Sequence, residues 1–69
     1  MKALKLIPKK ASDHAPNRIT VMDEQAEVAT VYCDQLIKFT GSQLSLSEVK
    51  EITAIAENFN LFYYNLIQP

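Results

Sequence analysis

The chain has 69 residues, with seven basic and eight acidic side chains, one cysteine and one histidine. This length allows a single domain, and one cysteine cannot form a disulfide within the chain. One cysteine and one histidine also fall short of the four ligands of a structural zinc site, and 48% hydrophobic residues argue against disorder. No apolar run approaches the roughly 18 residues of a membrane span, so we expect a cytoplasmic protein. We also expect that it holds no metal and no cofactor.

Charge is distributed unevenly along the chain. Residues 1–22 carry five basic side chains and one acidic one, whereas residues 23–69 are acidic overall. We therefore predict a basic extended arm over 1–22, with a loop over 11–17 and a short strand over 18–22, ahead of an acidic helical body over 23–69. The arm either docks on this body or binds nucleic acid or another acidic partner.

Residues 23–39 are predicted to form the first helix. At about 100° per residue, their apolar side chains fall on one broad face and most of their acidic side chains on the opposite face. Asp23 is the predicted N-cap, and Gly41 lies where a helix C-terminal cap requires a positive φ. The apolar Val31 is the exception, because it points into the acidic face.

The second predicted helix, 46–66, has the strongest local signal in the sequence. Ser45 and Glu48 are spaced as a capping box, in which the side chain of each residue bonds the backbone N–H of the other. Apolar residues then recur at spacings of three and four to the end of the segment, which is typical of one helix face. A strand over 61–67 is the alternative, because the aromatic residues there favour β structure.

Together these elements predict a mainly α fold of two antiparallel amphipathic helices with a short N-terminal extended segment. The C-terminal helix is apolar on most sides, so the helix hairpin leaves apolar surface that either a second copy or another protein covers. A homodimer is favoured, since small domains without disulfides commonly oligomerise. The predicted core comprises Val28, Tyr32, Leu36, Phe39, Val49, Ile52, Ala56, Phe59 and Tyr63.

The sequence offers little for catalysis. Neither of the usual glycine-rich phosphate-binding motifs occurs, and nothing resembles the nucleophile elbow of hydrolases. Cys33 and His14 are the one conceivable nucleophile–base pair, but Cys33 is predicted to lie buried in the apolar face, where a thiol is inert. We therefore predict that the protein is not an enzyme.

A protein-binding regulator is the favoured function. Its surfaces would be the acidic face of the first helix and the apolar outer side of the second. By analogy with other very small acidic proteins, including those of phages and other mobile elements, it would act as an inhibitor that occludes a working surface of its partner. The candidate partner-binding residues are Glu24, Glu27, Val31, Asp34, Leu61 and Tyr64.

Nucleic-acid binding is the alternative function. The predicted order of strand, helix and helix resembles the ribbon-helix-helix family, with Arg18-Ile19-Thr20-Val21 as the ribbon and Ser45 to Ile52 as the capped start of the second helix. The resemblance implies a dimeric transcriptional regulator whose paired ribbons enter the major groove, with Arg18, Thr20 and Met22 toward the bases. The candidate nucleic-acid-binding residues are Lys2, Lys5, Lys9, Lys10, Arg18 and Thr20.

Overall fold

The described residues form four strands and two helices. The structure, a computed structural model, describes residues 4–41 and 43–68. The strands form one antiparallel sheet in which neighbours in sequence are neighbours in space. The predicted mainly α fold is therefore wrong. The elements are β1 (Lys5–Lys9), β2 (Arg18–Asp23), β3 (Ala26–Tyr32), β4 (Ile37–Phe39), α1 (Leu46–Glu57) and α2 (Phe59–Ile67).

Residues 23–39, predicted to be a helix, form the end of β2 and all of β3 and β4, together with the two turns between these strands. Val28, Thr30 and Val31 have branched side chains at Cβ, which favour the extended backbone of β3. Each end of β3 adjoins a polar turn, and the strand between the turns is only seven residues long. A short apolar run of this kind satisfies a helix period and a strand equally well, so periodicity alone does not separate them.

Neither predicted cap of that helix is present. Asp23 is the last residue of β2. Gly41 does not have a positive φ. Its amide donates a hydrogen bond to the carbonyl oxygen of Val28 at 3.0 Å, and a Cβ atom at Gly41 would lie 3.3 Å from that of Val28. The glycine therefore permits close approach of the chain to β3 rather than a helix end.

The turn between β3 and β4 places a residue in the left-handed region. The amide of Gln35 donates to the carbonyl of Tyr32 at 3.0 Å, and the amide of Tyr32 donates to the carbonyl of Leu36 at 2.9 Å. Gln35 has a φ of 72°. This arrangement is the three-residue hairpin loop in which a turn is followed by one residue with positive φ.

Replacing Gln35 with glycine is expected to stabilise the fold by roughly 0.5–1 kcal/mol, because glycine adopts a positive φ without steric cost. Urea unfolding followed by circular dichroism measures the change. Gln25→Gly is the matched control, since Gln25 is also an exposed turn glutamine but has no positive φ. A loss of stability in Gln35→Gly equal to that of the control would contradict the assignment.

The core lies between the two helices and one face of the sheet, here called the inner face. A β-bulge lets two successive residues of β3, Val28 and Ala29, both contribute to the core, because Val21 pairs with Ala29 while Met22 pairs with Glu27. The buried apolar side chains are Ile19, Val21, Val28, Ala29, Val31, Ile52, Ile55, Ala56, Phe59 and Tyr63.

The predicted core is correct on the helices except at Val49, and only partly correct on the strands. Leu36 is 64% exposed because it lies in the turn between β3 and β4. Phe39 is 47% exposed because it lies in the short edge strand β4. Tyr32 is half-buried and lies on the other face of the sheet from Val31. Val49 is also half-buried. The predicted residues that are buried are Val28, Ile52, Ala56, Phe59 and Tyr63.

The capping box predicted for the second helix is confirmed. The amide of Glu48 donates to Ser45 Oγ at 3.1 Å, and the amide of Ser45 donates to Glu48 Oε1 at 3.0 Å. The predicted continuous helix is wrong at one residue, Asn58, whose φ of −120° and ψ of 38° separate α1 from α2. The alternative strand over 61–67 does not form, because α2 continues to Ile67.

Candidate nucleic-acid interface

Within residues 4–41 and 43–68, the helices pack against one face of the sheet and leave the second, here called the outer face, uncovered by a helix. Side chains alternate between the faces of a strand. Since Ile19 and Val21 are fully buried against the helices, Arg18 and Thr20 lie on the outer face. The same alternation places Lys5 and the other odd-numbered residues of β1 there, because Leu6 packs against the core.

Strand pairing brings these outer-face side chains into three rows across the sheet. One row begins with Lys9 and Arg18, a second contains Ile7 and Thr20, and a third begins with Lys5. The rows are Lys9–Arg18–Tyr32, Ile7–Thr20–Thr30–Lys38 and Lys5–Met22–Glu27. Residues distant in sequence thus form one polar and basic surface.

Among the described residues, four of the outer-face side chains are cations and one is a carboxylate. The carboxylate of Glu27 accepts a hydrogen bond from the hydroxyl of Thr30 at 2.8 Å. Arg18 donates from Nη1 to the carbonyl of Pro16 at 3.1 Å. Within residues 4–41 and 43–68, none of the four cations forms an ion pair with a carboxylate. Their charge is therefore available to a ligand. The four cations are Lys5, Lys9, Arg18 and Lys38.

The acidic side chains of α1 lie on the opposite side of the sheet from these cations. α1 carries Glu48, Glu51 and Glu57 but one lysine, Lys50. Because the apolar core separates α1 from the outer face, the overall charge of −1 combines an acidic helix layer with a basic sheet face. Lys5, Lys9 and Arg18 therefore lie on the opposite side of the sheet from the acidic helix α1.

Most of the predicted nucleic-acid-binding residues come together on the outer face. Lys5, Lys9, Arg18 and Thr20 lie there, whereas Lys10 is exposed just beyond β1. Lys2 lies outside the described residues. The ribbon-helix-helix arrangement itself is wrong, because β2 pairs with β1 and β3 of its own chain and is followed by a strand instead of a helix.

Two outer-face residues were missed by sequence reasoning, Tyr32 and Lys38. Both fell within the predicted first helix, where Tyr32 counted as core and Lys38 as solvated surface. The alternation of Ile37, Lys38 and Phe39 is the signal that indicates a strand, although three residues are few.

The predicted partner-binding residues do not form one surface. Glu24 and Glu27 lie at the β2–β3 turn, whereas Asp34 lies in the turn at the other end of β3. Val31, predicted to project from an acidic helix face, is fully buried in the core. Its burial follows from its place opposite Ile19 on the inner face of the sheet.

Leu61 and Tyr64 are exposed on α2, at 64% and 51%, and Leu61 borders a shallow pocket of about 250 Å³. This pocket lies between the β3–β4 turn and the junction of α1 with α2. Cys33 lines it and is exposed, so the predicted burial of this thiol is wrong. Within the described chain no hydrogen bond joins Cys33 to His14. The lining residues are Cys33, Gln35, Ala56, Glu57, Asn58, Phe59, Asn60 and Leu61.

The described part of the chain contains no group of three or more His, Cys, Asp or Glu side chains placed to hold a metal ion. None of the helices described is long and apolar enough to cross a membrane. No family model matches the sequence, and neither curated proteins nor solved structures gave a significant match.

Proposed function

We propose that the protein is a non-enzymatic binding module that contacts nucleic acid through the outer face of its sheet. The observation that carries the proposal is the grouping of four cations on one open face, with no carboxylate paired to any of them among the described residues. A cytoplasmic location belongs to the proposal, since exposed Cys33 stays reduced there.

Electrostatics supplies the affinity in this proposal. Phosphate neutralisation by Lys and Arg releases the counterions condensed on nucleic acid, and this release dominates non-specific binding. The overall charge of −1 does not oppose such binding strongly, because the acidic side chains of α1 lie across the core from the outer face. Charges separated by more than about 8–10 Å are largely screened at physiological salt.

Fluorescence anisotropy of a labelled oligonucleotide, at about 50 and 200 mM salt, tests the proposed function. Four phosphate contacts predict a log–log slope of about −2.8 for a single strand and about −3.6 for a duplex. The affinity should then fall roughly 50- to 150-fold between the two salt concentrations. Absence of binding at the lower salt, or binding that does not respond to salt, would contradict the proposal.

A protein-binding regulator is the second candidate, supported by the exposed Leu61 and Tyr64 beside the pocket at the α1–α2 junction. In this proposal a partner protein docks an apolar side chain on α2, and the working surface of that partner is thereby occluded. In the homodimer form of the proposal, a second copy of the chain covers α2. The proposal includes an origin in a phage or another mobile element. It ranks second because residues 23–39 form strands and turns, so the acidic helix face predicted for them is not present, and because Val31 is buried.

Sedimentation equilibrium tests the homodimer form of this second candidate. A dimer that uses α2 should dissociate to monomers on Leu61→Lys, whereas Leu46→Lys, at a 69% exposed leucine on α1, should leave it intact. A monomeric wild-type protein at the highest attainable concentration would exclude the homodimer and leave only a different protein as partner.

A further inference from the structure

We propose that the outer face takes a single-stranded nucleic acid, DNA or RNA, and that Tyr32 provides the surface on which a base stacks. This inference rests on the proposed function and specifies the form of nucleic acid that the face accepts. Three observations carry it: the width of the sheet, the position of Tyr32, and the arrangement of the cations around it.

The sheet is too wide to read a duplex groove. Four strands have three spacings of about 4.8 Å, so the backbone alone spans about 14 Å before side chains are added. The major groove of B-form DNA is about 12 Å wide and admits a two-stranded ribbon, and the minor groove is narrower still. A duplex can therefore meet the outer face only along its phosphate edges, whereas a single strand can lie flat upon it.

Tyr32 is placed to stack with an unpaired base. It is the last residue of β3, and it lies on the outer face because its neighbour Val31 is fully buried on the inner one. Tyr32 is half-buried, and it is not among the apolar side chains that pack against the core. Single-stranded nucleic acids bind such sheet faces by stacking bases on aromatic rings, and each base has a face that can stack.

Cations lie on one side of the Tyr32 ring, where the phosphate backbone of a bound strand would pass. Arg18 is the direct cross-strand partner of Tyr32, and Lys9 is the partner of Arg18 in the next strand. Lys5 lies four residues from Lys9 along β1, a distance of about 13–14 Å. The floor between these cations is made by Ile7 and Thr20, which carry no charge. The surface from Lys5 to Lys9 and across to Tyr32 has room for about two to four nucleotides.

Three labelled 12-mers of one mixed sequence test this inference by fluorescence anisotropy: single-stranded DNA, single-stranded RNA, and the DNA duplex. At about 50 mM salt, we expect a single strand to bind at least tenfold more tightly than the duplex. Comparison of the DNA and RNA strands identifies which of the two the face prefers, and a preference for either agrees with the inference.

Substitutions of Tyr32 separate stacking from charge. Tyr32→Leu should weaken single-strand binding roughly 5- to 100-fold and leave the slope of affinity against salt unchanged, because stacking releases no counterions. Tyr32→Phe keeps the ring and should keep the affinity. Since both variants replace a half-buried side chain outside the core, their thermal melting curves verify that they remain folded.

Failure of the inference differs from failure of the proposed function. Duplex binding as tight as single-strand binding, or full affinity in Tyr32→Leu, would overturn single-strand stacking while leaving nucleic-acid binding in place. Binding to none of the three oligonucleotides would overturn both and would leave a protein as the partner.

Discussion

Replacing Phe59 with alanine is expected to destabilise the folded protein by about 3–5 kcal/mol. Phe59 begins α2 with 4% of its side chain exposed, and its ring stacks on Tyr63 with centroids 5.3 Å apart. Removing the ring leaves a cavity between α2 and the sheet, in addition to the lost burial of apolar surface. A core in a chain of this length rarely supplies more than about 3–5 kcal/mol, so the variant should be largely unfolded at room temperature.

Urea and thermal unfolding, followed by circular dichroism, measure this effect. Leu61→Ala is the matched control, because Leu61 lies two residues further along the same helix and is 64% exposed. The control should change stability by no more than about 0.5 kcal/mol. Equal effects of the two substitutions, or a normal melting curve for Phe59→Ala, would contradict the packing of α2 on the sheet.

Replacing Lys9 and Arg18 together with glutamine is expected to have the largest effect on nucleic-acid binding. These two residues are direct cross-strand partners on the outer face and supply half of its cations. Loss of two phosphate contacts should reduce the salt slope for a single strand from about −2.8 to about −1.4 and weaken binding at low salt. Both side chains are outside the core, so the fold should survive.

Lys50→Glu is the control for overall charge. It lowers the net charge by two, from −1 to −3, as does the double substitution on the outer face. Because Lys50 lies on α1, across the core from the outer face, the Lys50→Glu variant should bind nucleic acid with an affinity and a salt slope close to those of the wild type. Equal weakening by both variants would mean that net charge, and no particular face, controls binding.

The helix α1 could be predicted from sequence, because its signals are local. Ser45 and Glu48 cap each other within three residues, and the capping hydrogen bonds are present as predicted. The strand β2 was predicted for the same reason, since Ile19 and Val21 alternate with polar neighbours. Such patterns can be recognised within a few consecutive residues, without knowledge of contacts to other elements.

The strands β3 and β4 could not be separated from a helix by the same reasoning. The bulge at Val28 puts two successive residues on the inner face, which breaks the alternation that marks a strand. A helix over these residues would place Val31 on an acidic face, whereas in β3 it is fully buried. The decisive contacts, Val31 with Ile19 and with Ile37, are formed with other strands and leave no mark in the local sequence.

The candidate site was predicted in part. The basic character of residues 1–22 is a property of composition, and it identified Lys5, Lys9 and Arg18 without any knowledge of the fold. The addition of Tyr32 and Lys38 depends on strand pairing, which brings them beside Arg18 and Thr30. The basic character of the site can therefore be predicted from the sequence, whereas the grouping of its residues on one surface depends on the pairing of the strands.

Two-dimensional ¹H–¹⁵N NMR during titration with a single-stranded oligonucleotide tests the central claim most directly. If the outer face is the binding surface, the amide shifts should change most in β1, in β2 and around Tyr32 and Lys38, with α1 and α2 nearly unaffected. Changes confined to α2 and to the pocket around Cys33 and Leu61 would contradict the claim and identify the apolar surface of α2 as the working one.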